Sequence, residues 1–151
     1  MRSRTHLAFG FLAGLLSLNY IRPSNYIIYF AVILFAALLP DTDHPESNIN
    51  KKIPVFKFFS YIFKHRGFLH TLWIPLIVFV LLYKFGYYQY GIAVAVGYGA
   101  HLLSDSLTKA GINFIHPLKQ FRIQGFVETG GLLEYLICGL VIVASVFLLI
   151  L

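Results

Sequence analysis

The chain alternates between long apolar runs and short polar connections. Five apolar runs stand out, at residues 7–21, 25–39, 68 to about 85, 91 to about 108 (after an aromatic belt at 87–90) and 130–151, and the largest polar connection lies at residues 40–67. Uninterrupted apolar runs of this kind predict helices that are hydrophobic all round, the pattern of membrane segments. The pattern therefore predicts an all-α integral membrane protein of about five transmembrane helices, built as one domain over residues 1–151. The first two runs are short, about 15 residues or roughly 22 Å of helix against a hydrocarbon core of about 30 Å. Such a hairpin must thin the bilayer or let its polar ends dip below the interface. Thr5 is placed to cap the first helix, and Pro75 to kink the third. Within the long connection, residues 53–64 put Lys57, Ser60 and Lys64 on one stripe of an otherwise aromatic and apolar segment. That predicts a short amphipathic helix lying in the interface.

Composition agrees with the pattern. Apolar residues make up 58% of the chain and charged ones 12%, against roughly 45–50% and about 25% in soluble domains. A lone cysteine, Cys138, excludes a disulfide framework and a thiolate zinc site. The formal charge of +6 is not read as a nucleic-acid footprint, because no basic helix or aromatic-interleaved patch accompanies it. Ten of the twelve Lys and Arg residues fall before residue 5 or within 40–67 and 109–127; Arg22 and Lys84 are the exceptions. Cytoplasmic loops collect such residues, so the N-terminus and both long loops are expected in the cytoplasm and the C-terminus outside, in a multi-pass protein of the inner (cytoplasmic) membrane.

The polar residues are few and clustered. Three of the six acidic residues, Asp41, Asp43 and Glu46, sit in Pro40-Asp41-Thr42-Asp43-His44-Pro45-Glu46-Ser47. Carboxylates beside an apolar run are costly unless a cation, a cationic partner or water compensates them. A second cluster, His65-Arg66-Gly67-Phe68-Leu69-His70, closes the same connection, and His101 with Asp105 forms a third. Four residues apart on a helix, His101 and Asp105 share a face. Ala93 and Gly97 continue that face, so it looks inward. Gly91, Ala95 and Gly99 form a second stripe of small residues, and such stripes allow close helix approach. His65 and His70 converge only if His65 lies in the loop and His70 on the first turn of the next helix. His6 and His44 join the list of possible ligands, whereas His116 before Pro117 reads as a loop residue. A mixed His and carboxylate set without Cys suits zinc, manganese or iron.

Taken together, these residues resemble a known family, the membrane-bound metal-dependent hydrolases described as inner-membrane proteins under DNA-damage control in bacteria, with archaeal relatives. The matching elements are Thr5-His6 with Gly10, Leu39-Pro40-Asp41-Thr42-Asp43-His44-Pro45 with Ser47, His65-Arg66-Gly67 with His70, and Gly97 with His101-Leu102-Leu103 and Asp105, then Thr108 and Gly111. Leu69 and Thr71 stand where the family pattern has Thr and Ser. The resemblance implies a chemistry class and no substrate.

The reading that follows is a membrane-bound hydrolase of an ester or phosphoester, acting on a membrane lipid or lipid-linked substrate at the cytoplasmic interface. Asp41, Asp43, His65, His70, His101 and Asp105, with His6 and His44, are the expected ligands of one or two divalent ions, which would activate water and polarise the scissile group. Arg66, helped by Lys119 or Arg122, is expected to neutralise the developing oxyanion. Glu46 and Glu128 are the candidate general bases, and Glu134 a further base or supporting group. Two other readings compete: a non-catalytic metal-binding membrane protein, and a polar network that binds a partner without metal.

Overall fold

A computed structural model describes residues 1–43, 68–118 and 121–150. Among these, five α-helices form: α1 (Ser3–Ser17), α2 (Tyr26–Ala36), α3 (Trp73–Lys84), α4 (Tyr88–Ser106) and α5 (Leu132–Ile150). Short 3-10 turns at Pro40–Asp43 and Phe68–His70 follow α2 and precede α3. β1 (Ile112–Asn113) and β2 (Arg122–Ile123) pair antiparallel, with Ile112 opposite Ile123.

α4 is the central element, packing against α1, α2 and α3, while α1 also contacts α5. Its stripe of small residues explains this. A Cβ on Gly97 would collide with the Ile33 carbonyl of α2, so the two backbones are in near contact. Gly10 and Gly14 do the same for α1 against α2: a Cβ there would lie 2.9 Å from Ala37 Cβ and 2.7 Å from Phe30. The Gly91 stripe is less consistent, since no described atom lies within 4 Å of a Cβ on Gly99. Two apolar clusters flank α4, one of Tyr29, Ile33 and Ala93, the other of Tyr98, Leu102 and Ile112.

The structure corrects the expectation of five transmembrane helices. Among the described residues, α5 alone is long and apolar enough, by length and composition, to cross a membrane. The apolar runs in the sequence are longer than the helices they form. Leu38 and Leu39 leave α2 for the 3-10 turn, and residues 68–72 make a turn and a connection before α3 begins. That leaves α2 with 11 residues and α3 with 12, about 16 and 18 Å of helix. α4 has 19 residues, but its glycines, serines, His101 and Asp105 dilute its hydropathy. The all-α expectation is also corrected, because the 109–127 connection carries the two-stranded sheet.

Local details differ for identifiable reasons. Arg2, not Thr5, is the N-cap of α1, and Thr5 lies buried inside the helix. Pro75 occupies the first turn of α3, where its missing N–H would have had no partner in the helix, so no kink is required. Asn25 caps α2 by accepting a hydrogen bond from Ile28 N at 3.0 Å. The amphipathic segment at 53–64 lies outside the described residues.

Candidate metal centre

Four elements deliver side chains to one place. α1 contributes His6, the 3-10 turn after α2 contributes Asp41, the turn before α3 contributes His70, and α4 contributes His101 and Asp105. His6, His70 and His101 are fully buried and Asp105 is 2% exposed. The Asp41 side chain is 16% exposed, so the cluster reaches solvent on the Asp41 side.

Backbone contacts fix each contributor. The hydroxyl of Tyr98 donates to the Leu69 carbonyl, and Leu72 N donates to the Phe114 carbonyl at 3.0 Å. Together they hold the His70 turn against α4 and the β1 region. Thr42 closes the other turn, its N and Oγ1 donating to the Leu39 carbonyl at 3.0 and 2.7 Å. Glu134, at the start of α5, accepts from Arg2 N at 2.6 Å, Thr5 Oγ1 at 2.7 Å and Gly130 N at 2.6 Å. This carboxylate ties the first turn of α1, and hence His6, to α5.

The hydrogen bonds also settle the tautomer of His101. His101 Nδ1 lies 2.8 Å from the Ala37 carbonyl, which can only accept. The proton is therefore on Nδ1 and the lone pair on Nε2, the arrangement in which a metal-binding imidazole is oriented through its other nitrogen. Ser104 Oγ donates its one hydrogen to the His101 carbonyl at 2.8 Å. The same hydroxyl lies 2.8 Å from His6 Nδ1, so Ser104 links the two rings. His6 Nε2 hydrogen-bonds to the Met1 carbonyl at 3.0 Å, which can only accept, and faces Asp105 Oδ1 at 3.5 Å and Asp41 Oδ2 at 4.0 Å. His101 Nε2 faces Asp105 Oδ2 at 3.7 Å and Asp41 Oδ1 at 4.0 Å, and is buried with no hydrogen-bond partner among the described residues. His70 Nε2 lies 3.7 Å from Asp105 Oδ2.

Separations of 3.5–4.0 Å are too long for good hydrogen bonds. They are close to the spacing of donors around a shared ion, since ligands at about 2.0–2.1 Å in tetrahedral geometry stand roughly 3.3 Å apart. Electrostatics agree. Burial, reinforced by the nearby Met1 ammonium, lowers His6 to about 3. Burial likewise pulls His101 well below its ordinary value. Neutral imidazoles are the form that binds metal. Burial works against the charge on Asp105, yet its carboxyl is held below the usual range by the facing His6 and His101 rings and the Met1 ammonium. With both rings neutral, the ammonium is the partner that counts, and it hydrogen-bonds directly to Asp105 Oδ1.

The structure thus brings together five residues picked out in the sequence, His6, Asp41, His70, His101 and Asp105. The Asp43 side chain, His44, Glu46, His65, Arg66 and Lys119 lie outside the described residues. Glu128, expected as a base, is not at the cluster. It is 74% exposed and pairs with Lys109 at 3.3 Å, because the turn into α5 points it to solvent. Arg122 donates to the Ala110 carbonyl within its own loop. Glu134 acts as an anchor for α1 and not as a base. Sequence reasoning missed Ser104 and the Ala37 carbonyl. Ser104 had a signal, since it stands three residues after His101 and so on the same side of α4; only packing against His6 reveals its role.

The fold and cluster define a helical protein with, among the described residues, one helix of membrane-crossing length and a buried site of metal-ligand type. The chain belongs to the YdjM inner membrane protein family, whose model matches residues 1–150, and it is a membrane protein of that family. Its relatives include inner membrane protein YdjM of Escherichia coli (strain K12) and of Shigella flexneri. Each is 35% identical over 127 residues, covering 76% of this chain and 63% of the relative. The chain therefore spans less than two thirds of the length of these relatives. The uncharacterized protein YvsG of Bacillus subtilis (strain 168) is 28% identical over 150 residues, covering 97% of this chain and 93% of its own. No solved structure matches.

Proposed function

We propose that this protein is a metal-dependent hydrolase of an ester or phosphoester at the cytoplasmic face of the membrane, with His6, Asp41, His70, His101 and Asp105 as its ligands. The observation that carries the reading is the His101 nitrogen. Its lone pair is buried, pinned by Ala37 on the opposite side of the ring, and aimed at two carboxylates too distant to hydrogen-bond to it. A buried polar atom of this kind costs about 1–3 kcal/mol unless something satisfies it. A divalent ion held there would supply Lewis-acid activation of water and of the scissile group. The chain's own part is to exclude water from the histidines, keep them neutral and leave Asp41 as the accessible edge. A substrate at that edge, in a membrane protein with exposed apolar helices, is most simply a lipid or lipid-linked ester. The Lys and Arg bias of the N-terminus and the two long connections supports a cytoplasmic site.

Elemental analysis of detergent-purified protein, wild type beside His101→Ala, tests the metal. Bound zinc, manganese or iron in the wild type and little in the variant is the expected result. Hydrolysis of phosphoester and carboxylic ester probes by the loaded protein, lost on chelation, tests the chemistry. Trace metal in both proteins, with the variant folded, would leave the polar-network reading instead.

A further inference from the structure

The His6 and His101 rings are stacked, with centroids 3.8 Å apart and planes only 12° from parallel. A metal bound to an imidazole lies near the ring plane, along the nitrogen lone pair, at about 2.0–2.1 Å. Both Nε2 atoms face the same two carboxylates; on the His6 side Met1 stands in the place of a cation, its ammonium on Asp105 Oδ1 and its carbonyl 3.0 Å from His6 Nε2, so an ion there replaces Met1. Near-parallel lone pairs on stacked rings do not converge. An ion midway between them would lie almost half of that 3.8 Å separation out of each plane, a displacement close to the whole bond length.

The carboxylates divide in the same way. Asp105 presents Oδ1 to His6 at 3.5 Å and Oδ2 to His101 and His70, each at 3.7 Å. Asp41 presents Oδ2 to His6 and Oδ1 to His101, each at 4.0 Å. The His70 and His101 rings, in contrast to the stacked pair, stand at 66° with centroids 5.3 Å apart, so their nitrogens can address one point. The ligands thus fall into two sets. One has His6 with Asp105 Oδ1 and Asp41 Oδ2. The other has His101 and His70 with the remaining two oxygens.

We propose that the cluster is a dinuclear centre, in which His6 serves one ion, His101 and His70 serve a second, and Asp105 and Asp41 bridge them. The inference rests on the metal reading above and fixes the number of ions. Ions held in the planes of the two stacked rings would be separated by about the ring spacing, within the range of about 3.5–4 Å found in two-metal sites. Centres of that kind clamp the attacking and leaving oxygens of an in-line displacement, so of the two substrate classes the phosphoester is the one it fits.

Titration of metal-free, detergent-solubilised full-length protein with Mn(II), followed by ion counting and electron paramagnetic resonance, tests this. The expected result is two ions per chain with the spin-coupled spectrum of a bridged pair. His6→Ala is expected to bind one ion with the spectrum of isolated Mn(II). One ion per chain in the wild type, with an isolated-ion spectrum, would overturn the dinuclear centre while leaving a mononuclear metal site. Such a result would mean that the Met1 ammonium on Asp105 keeps the His6 side. Absence of bound Mn(II), zinc and iron alike would instead remove the metal reading itself.

Discussion

At the scale of single residues, the cluster is set by where protons sit. Ser104 links the two stacked rings, donating to the His101 carbonyl and lying 2.8 Å from His6 Nδ1. Ser104→Ala should therefore weaken metal binding by about 10–100-fold, the usual cost of losing a group that orients a ligand. Competition against a chromophoric chelator would measure this, and an unchanged affinity would show that Ser104 only packs. Protonation gives a second test. His6 has a folded value near 3 against about 6.5 unfolded. Below about 6.5 the unfolded chain takes up a proton that the folded chain refuses, so stability falls as pH drops from about 6.5 toward 3. Burial moves His101 in the same direction. Thermal unfolding of chelator-treated protein should show this loss on acidification, with a shallower slope in His6→Gln. Equal slopes in the two proteins would place His6 in a less buried setting. The residue types at this site were legible in the sequence, as was the pairing of His101 with Asp105. The His101 tautomer was not, because it depends on the Ala37 carbonyl, which acquires meaning only on contact.

At the scale of elements, α4 is placed by absent side chains. Gly97 and Gly99 are two residues apart on one helix, yet only Gly97 faces the α2 backbone. Gly97→Ala should cost about 1–3 kcal/mol through overpacking. Gly99→Ala should be neutral or stabilising by up to about 1 kcal/mol, since it adds helix propensity without a described neighbour. Chemical denaturation in detergent would compare them, and equal effects would rule out the tight α2–α4 crossing. The stripe through Ala93, Gly97, His101 and Asp105 was readable from its spacing, and the structure buries all four. The shortness of α2 and α3 was not readable. An apolar run does not state where helix gives way to a 3-10 turn, and both turns are held by contacts from elsewhere: Thr42 folding back on Leu39, and Tyr98 reaching Leu69.

Over the whole molecule, the N-terminal turn of α1 and the start of α5 are joined through Glu134, across more than a hundred residues of sequence. Hydrogen bonds to a charged group contribute about 1.5–3 kcal/mol each when intact. Glu134→Ala should lower global stability by about that amount and also weaken metal binding, because His6 sits one residue beyond Thr5. A stability loss with unchanged affinity would show that His6 is positioned by Ser104 alone. Metal should in turn stabilise the whole bundle, because its ligands come from α1, two turns and α4. At 100 times the dissociation constant, a ligand specific for the folded state adds about 2.7 kcal/mol. The midpoint of thermal unfolding should rise with added metal in the wild type and stay fixed in His101→Ala.

The sequence by itself determined the family, the membrane character, the helical bulk of the chain and the His and Asp types that gather at one site. These are properties of composition and of motifs read within a few residues. Only the tertiary structure decided which of those residues meet, that α5 alone among the described helices has membrane-crossing length, and that Glu128 faces solvent while Glu134 locks α1. It also decided which nitrogen of His101 carries the proton, because that depends on the partner of the opposite ring nitrogen. That partner, the Ala37 carbonyl, is supplied by the end of another helix.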